Sequence, residues 1–440
     1  MNRRKFVKVS TSTFAGASLA SSLTFASFPK STQKIKTVLV GTGSRGIHSW
    51  GIDLVGPYAQ YVEMVGLCDI NDQRVEVAKE MIGANAKTYH ADDFELMIEE
   101  QRPDVVIVTT TDCYHVDYIV KALKLGCDVV SEKPIATEAE QCQRIIDAEK
   151  STGKQVFVGF NMRFMNETME MKRILSSGEL GDIISIEYQE YLDTQHGASY
   201  FRRWHGKNKF SGSLLVHKSS HHFDLINWLL DSDPTQVQAM GKSSFYGPNN
   251  PFRGKNCRSC EFADKCDFYW DMRKDKKSMR LYAECEDVDQ YYRDGCVWDD
   301  QIDGYDAATV QVGYDNGAQL TYTFNAFLPY EGQRISFSGE KGRLDVRLHA
   351  RQPWEVEAPF EFRLTKDRQT TRKWNIYPNK GGHGGADERV KDMFFKPDQP
   401  DPIGQKAGSR AGVLSSMVGI AARRSIEQGG TVNIDDLIKL

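Results

Sequence analysis

Three glycines at fixed spacing constrain this chain more than any other feature. Gly41, Gly43 and Gly46 form G-x-G-x-x-G within "VLVGTGSRGIHSW", directly after an apolar run and directly before a helix-like stretch. Each has a physical reason to be glycine: a tight turn, a backbone brought close to a pyrophosphate, and close contact between helix and strand. The next apolar run ends in Asp69, whose carboxylate can take both hydroxyls of an adenosine ribose and would repel a 2′-phosphate. Glycines and acid together point to NAD rather than NADP, cradled by the Gly41–Gly46 loop with Ser44 and Arg45.

Around that loop, apolar runs alternate with helix-like stretches. "IKTVLVG", "AQYVEMVGLCDI", "DVVIVTTT", "CDVVSEKP" and "KQVFVGFN" read as strands, with "NDQRVEVAKEMI", "ADDFELMIEEQ" and "CYHVDYIVKALKLG" as helices between them. Such alternation implies parallel strands joined by right-handed crossovers, a Rossmann-type doubly wound α/β domain over residues 34–163. At 440 residues, 40% hydrophobic and 26% charged, the chain has room for a second core. A net charge of −4 gives no basic surface for nucleic acid, and the run "MRKDKKSMR" reads as a solvated loop.

The first thirty residues read differently. Arg3 and Arg4 precede the mildly apolar segment Phe14 to Phe28, the pattern of a twin-arginine secretion signal with cleavage near Ala26. A retained amphipathic helix is the alternative. No other segment is apolar and long enough to span a bilayer. Export to the periplasm after folding would let NAD be loaded in the cytoplasm and leave tightly bound.

Further along comes "VVIVTTTDCYHVDYIVKALKLGCDVVSEKP", with Thr109 to Thr111 closing a strand, His115 four residues on, and Glu132-Lys133-Pro134 after the next strand. With the glycine motif, "VGFNMRF" and "GEKGRLDV", this resembles the glucose-fructose oxidoreductase and inositol dehydrogenase (Gfo/Idh/MocA) family, from about Ile35 to the C-terminus. The resemblance implies a second domain over residues 164–440, an α+β unit with an open, mostly antiparallel sheet, interrupted by an insertion at about 244–300. It implies cofactor contacts from Thr110, His115, Glu132, Lys133 and Arg163, with Lys133 catalytic and Arg163 near the nicotinamide. The residues themselves support Lys133: a lysine at the carboxyl end of a parallel strand sits in the crevice where such sheets bind ligands, the following proline restricts its backbone, and its cation can favour a developing alkoxide. A surface lysine in a loop is the alternative.

The second half offers "GSLLVHKSSHHFDLINWLL". Family dehydrogenases usually read G-x-L-x-D-x-x-x-H-x-x-D here. This chain aligns His221 and Asp224 with the last two positions but replaces the first Asp by His217. The two histidines, spaced i, i+4 on one helix face, would join Lys133 in catalysis, since a second imidazole can take a proton or bind a sugar hydroxyl. They could instead bind a metal, although H-E-x-x-H is absent. His222 and Asp224 read as structural. Glycosidases resembling glycoside hydrolase family 109 also carry a His at that Asp position but generally lack the lysine. In "GASYFRRWHG", Tyr200, Arg203, Trp204 and His205 form a mix that stacks on sugar rings or makes an ordinary aromatic loop. His383 in "GGHGGADERV" is a further substrate contact, and Asp387 a helix cap.

Nine cysteines complete the pattern. Cys257, Cys260 and Cys266 form C-x2-C-x5-C, with Cys296 as a fourth ligand for zinc or an iron-sulfur cluster; disulfides are the rival in an oxidising compartment. These readings converge on an NAD-dependent oxidoreductase of a sugar or glycoside, or an NAD-cycling glycosidase acting by transient oxidation, elimination and re-reduction. The exposed sheet face of such second domains suggests a homo-oligomer.

Overall fold

The computed structural model describes residues 33–440, so the secretion-signal expectation lies outside the described residues. Six strands open the chain: β1 (Ile35–Val40), β2 (Val62–Asp69), β3 (Lys87–His90), β4 (Val105–Val108), β5 (Asp128–Ser131) and β6 (Val156–Val158). They pair in parallel in the order β3-β2-β1-β4-β5-β6. Helices cover both faces, which is why β4 is buried along its whole length and reads as an unbroken apolar run. Five of these strands stand out in the sequence. The sixth, β3, does not, because "KTYH" buries only Tyr89 and carries no period. Strand order reverses between β1 and β4, and the crevice at their carboxyl ends is where Gly41 and Thr109 begin their loops.

The second half is a nine-stranded sheet: β7 (Ile183–Asp193), β8 (Pro234–Lys242), β9 (Ala307–Tyr314), β10 (Gln319–Leu328), β11 (Glu331–Gly339), β12 (Gly342–Arg351), β13 (Phe360–Thr365), β14 (Thr371–Ile376) and β15 (Val432–Asn433). Their order is β14-β13-β12-β11-β7-β10-β9-β8-β15, antiparallel except for β7 beside β10. Strands such as β10 alternate buried and open residues, the mark of a sheet with one covered face. The helices Ser220–Leu230 and Ser409–Gln428 pack on each other, and the second also packs on β8. The insertion anticipated at 244–300 lies between β8 and β9.

One buried pair ties the halves. Arg163, just past β6, donates to both oxygens of Asp224 in the Ser220–Leu230 helix at 2.8 and 2.6 Å. Among the described residues, no helix is long and apolar enough to cross a membrane.

Candidate active site

The glycine loop is built as its spacing requires. Gly41 has φ +88°, and a Cβ there would stand 2.7 Å from the Thr109 carbonyl carbon and the Thr110 nitrogen. At Gly46 a Cβ would lie 2.3 Å from the Gly41 oxygen. Gly43 differs: a Cβ there would meet only the Tyr282 hydroxyl, at 3.5 Å. Its open side faces the space a pyrophosphate would take, and the outward N–H of Ser44 donates to that same hydroxyl at 2.7 Å. This is the cradle a dinucleotide needs, so the residues fit NAD.

Asp69 ends β2 as expected, but its carboxylate is engaged. It accepts from Thr42 N at 2.6 Å, Thr42 Oγ1 at 2.9 Å and Asn71 N at 3.0 Å, so it fixes the loop as well as closing the ribose side. Arg74 stands 3.5 Å from Asp69 and 2.6 Å from Asp289, leaving two carboxylates around one guanidinium. That net negative charge disfavours a 2′-phosphate. Glu132 accepts from Arg45 at 2.7 Å and Trp50 at 2.8 Å, locking the Lys133 loop to the glycine loop.

Across the crevice the reactive side chains gather. Lys133, preceding a cis proline, donates through Nζ to the His217 carbonyl at 2.9 Å. Burial pulls its pKa down to about 8, against the opposing pull of Asp112 and Glu132. His217 turns Nδ1 to Asp112 Oδ2 at 2.6 Å, which leaves Nε2 for a ligand. Asp112 was not anticipated. It comes from the nucleotide domain and does for His217 what an acid orienting an imidazole does elsewhere. Burial pushes the Asp112 carboxyl up, with Lys133 opposing, and pulls His217 well below the usual histidine range. The signal for Asp112 was present in "TTTDCYH", but only the folded chain brings positions 112 and 217 together.

His217 and His221 do not share one helix. His217 ends the short helix Leu214–His217, a turn follows at Lys218 and Ser219, and His221 is the second residue of the next helix, Ser220–Leu230. The anticipated single helix face is therefore interrupted by that turn. Burial depresses each ring first and the Lys133 charge second. His221 Nδ1 has no hydrogen-bond partner and is free to accept one.

The aromatic stretch closes one side. Trp204 stacks on His205 with centroids 3.7 Å apart, and His205 stands edge-on to His217 at 4.3 Å. The Tyr200 ring lies 5.5 Å from His217, and the Arg203 guanidinium 5.7 Å from Tyr200. These four side chains and His217 thus share one wall.

Other anticipated residues have different work. Arg163 binds Asp224 and donates to the Gly404 carbonyl at 3.1 Å, so it joins the two halves. His115 lies against the Pro134 carbonyl at 2.8 Å and the Thr110 carbonyl at 3.1 Å, bracing the loops while Thr110 stays half-exposed beside the cradle. His222 bonds the Tyr322 hydroxyl and is structural as read. Asp387 is not a helix cap: the cap position is Gly385, and Asp387 binds His383 at 2.7 Å and Asn161 at 2.8 Å. His383 has a half-exposed side chain.

In the insertion, Cys257, Cys260, Cys266 and Cys296 line one cavity of about 330 Å³. Among the described residues, however, no group of three or more His, Cys, Asp or Glu side chains is arranged to hold a metal ion. Ligands of one zinc each stand roughly 2.3 Å from it and so crowd together; lining a common cavity is a looser arrangement. All nine cysteines are unbonded.

Residues 35–160 match the model of an oxidoreductase family's NAD-binding Rossmann fold, and residues 172–434 match that family's C-terminal alpha/beta domain. The "Putative oxidoreductase YteT" of Bacillus subtilis (strain 168) is 33% identical over 425 residues, 92% of this chain and 98% of that protein. Inositol 2-dehydrogenase of Salmonella typhimurium is 32% identical over 178 residues, 40% of this chain and 49% of that enzyme. Among solved structures, the aldose-aldose oxidoreductase from Caulobacter crescentus, complexed with glycerol, superposes with a TM-score of 0.62 at 16% identity, covering 91% of this chain and 100% of that one. The WlbA dehydrogenase from Bordetella pertussis, in complex with NADH and UDP-GlcNAcA, gives 0.62 at 19% identity, covering 91% and 99%. At such identities the two structures speak to fold alone.

Proposed function

The chain belongs to the Gfo/Idh/MocA oxidoreductase family, and on that premise we propose that it oxidises a secondary hydroxyl of a sugar or glycoside, with NAD held tightly in the Gly41–Gly46 cradle. When bound, NAD supplies the hydride acceptor. The observation that carries the reading is the meeting of Lys133 and Asp112 with His217, with His221 in the helix that follows. Hydride leaves a secondary alcohol only as the hydroxyl proton departs, so a base and a cation must stand beside that oxygen. Burial keeps both imidazoles neutral and able to accept that proton. Lys133 is the cation that stabilises the alkoxide. Tyr200, Arg203, Trp204 and His205 offer the stacking surface and donors a sugar ring needs.

A second reading, an NAD-cycling glycosidase, is favoured by the presence of two separate imidazole sites. Cleavage by transient oxidation needs one base for the hydroxyl and another for the C–H that oxidation acidifies. Incubating the purified protein with a panel of glycosides, while following NADH absorbance and aglycone, separates the two. Ketone product with stoichiometric NADH supports the oxidoreductase, aglycone without net NADH supports the glycosidase, and neither signal rejects both.

Export by the twin-arginine route to the periplasm supports tight cofactor retention, because no external pool would replace lost NAD. Fractionating cells that express the full chain tests it. The cysteine spacing of the insertion is the support for zinc or an iron-sulfur cluster there, since the folded side chains are not gathered around one ion, and metal analysis with thiol counting decides between a metal and disulfides. The exposed apolar residues Ile184 and Met240 on the sheet support a homo-oligomer, to be checked by light scattering.

A further inference from the structure

The insertion does more than separate β8 from β9. Its segment Lys276–Asp289 is docked on the nucleotide domain at the cradle itself. Leu281 and Tyr282 are buried in the hydrophobic core of that domain. Arg74 donates to the Leu281 carbonyl at 3.4 Å, and Asn71 donates to the Cys285 carbonyl at 2.8 Å. Tyr282 occupies the outward N–H of Ser44, which the glycine loop presents for a phosphate oxygen. Burial raises the Tyr282 hydroxyl, so it keeps its proton and can donate.

Behind Tyr282 stands Arg293, its guanidinium 5.1 Å from the Tyr282 ring centre. Its Nε is buried without a hydrogen-bond partner; its other neighbours are the Tyr291 hydroxyl, which it hydrogen-bonds, the Tyr282 ring, and Asp275 as the one carboxylate whose charge reaches it. Arg203 is alike: it donates to the Ser199 carbonyl and hydroxyl, and the charge beside it is Arg293, not a carboxylate. Burial and that like charge push Arg203 down to about 10. Two enclosed guanidiniums, neither in an ion pair with a carboxylate, beside the phosphate cradle describe an anion site that the protein itself does not fill.

We infer that Tyr282 and Arg293 of the insertion are cofactor-binding residues, closing over the glycine loop so that Arg293 balances the pyrophosphate charge and Tyr282 donates to a phosphate oxygen. This rests on the reading of NAD as the resident cofactor. It makes the insertion a clasp: the nucleotide leaves only when the Lys276–Asp289 segment lifts, which slows exchange.

The test is titration of cofactor-stripped protein with NAD, ADP-ribose and adenosine, together with NADH release followed by fluorescence. Arg293→Ala should weaken NAD and ADP-ribose about ten- to hundred-fold, the range for losing a charged hydrogen bond, and leave adenosine unchanged because it lacks the pyrophosphate. Tyr282→Phe should cost several-fold and speed NADH release. Unchanged melting temperature without nucleotide shows that each variant folds; if Arg293→Ala fails this control, Arg293→Lys and Tyr282→Phe carry the test. NAD and ADP-ribose affinities within twofold of wild type in the folded variants overturn the inference. So does a raised sugar KM with unchanged NAD affinity, which assigns the guanidinium to the substrate. A wild-type protein that binds no NAD overturns both this inference and the reading it rests on. One that binds NAD but oxidises no sugar overturns only the proposed sugar substrate and leaves this inference standing.

Discussion

The glycine loop and the crevice opposite it are made in different ways. In the loop, function is a backbone property: Gly41 and Gly46 leave no room for a side chain, and their partners Thr109 and Thr110 stand at the end of the adjacent strand β4. In the crevice, function is a meeting of side chains from distant parts of the chain, with Asp112 and Lys133 from one domain and His217 and His221 from the other. Local geometry writes itself into residue spacing, while convergence does not. The loop is therefore legible in a single sequence and the crevice only in part.

The largest expected effect breaks the loop. Gly46→Val should abolish NAD binding and lower the melting temperature, because its Cβ would sit 2.3 Å from a carbonyl oxygen. Gly43→Ala sharpens the point: it should fold normally, having only the Tyr282 hydroxyl at 3.5 Å, yet bind NAD at least tenfold more weakly. Calorimetry and NAD titration of both variants decide whether the two glycines have separate duties.

Next in size is the crevice. Lys133→Ala should cost about two to four powers of ten in kcat while NAD affinity stays within a few-fold, and His221→Ala should behave similarly. Near-normal turnover in both would move the chemistry elsewhere, first toward His383 and Tyr200. Asp112→Asn keeps the shape but not the charge and should cost about ten- to hundred-fold in kcat, with little further loss when added to His217→Ala, because the two act as a unit. Additive losses would show that Asp112 is only a structural partner.

The smallest effect is in the pH profile. Lys133 loses its proton near pH 8, so kcat/KM for oxidation should fall above that point, and Lys133→Arg should remove the alkaline limb. The acid limb should lie below the ordinary histidine range, since burial lowers both His217 and His221. An acid limb near the ordinary histidine value would show that neither imidazole is the base.

Particular residues show what was readable. The six-stranded domain emerged from unbroken apolar runs, and β3 escaped because four mostly polar residues carry no period. Lys133 could be singled out because its place at the carboxyl end of a parallel strand is a local feature of the sequence. The role of Arg163 between the halves was not readable, since a buried arginine can serve a ligand or a carboxylate and only the fold reveals Asp224 beside it. Asp112 and Tyr282 were missed for the same reason: their partners lie 105 and 238 positions away in sequence.

The Arg163–Asp224 pair has a consequence for how the enzyme moves. Its two short bonds are buried, and the Arg163 carbonyl is held in turn by Gln405 at 2.7 Å. Pulling one partner from such a pair leaves an uncompensated buried charge, at about 3–5 kcal/mol. Rigid-body opening of the two halves at that point is thus rarer than their closed state by on the order of hundreds to thousands of times. The molecule works less like a hinged jaw than like a fixed frame with a movable latch, and the tempo of substrate and nucleotide traffic is set by its surface segments.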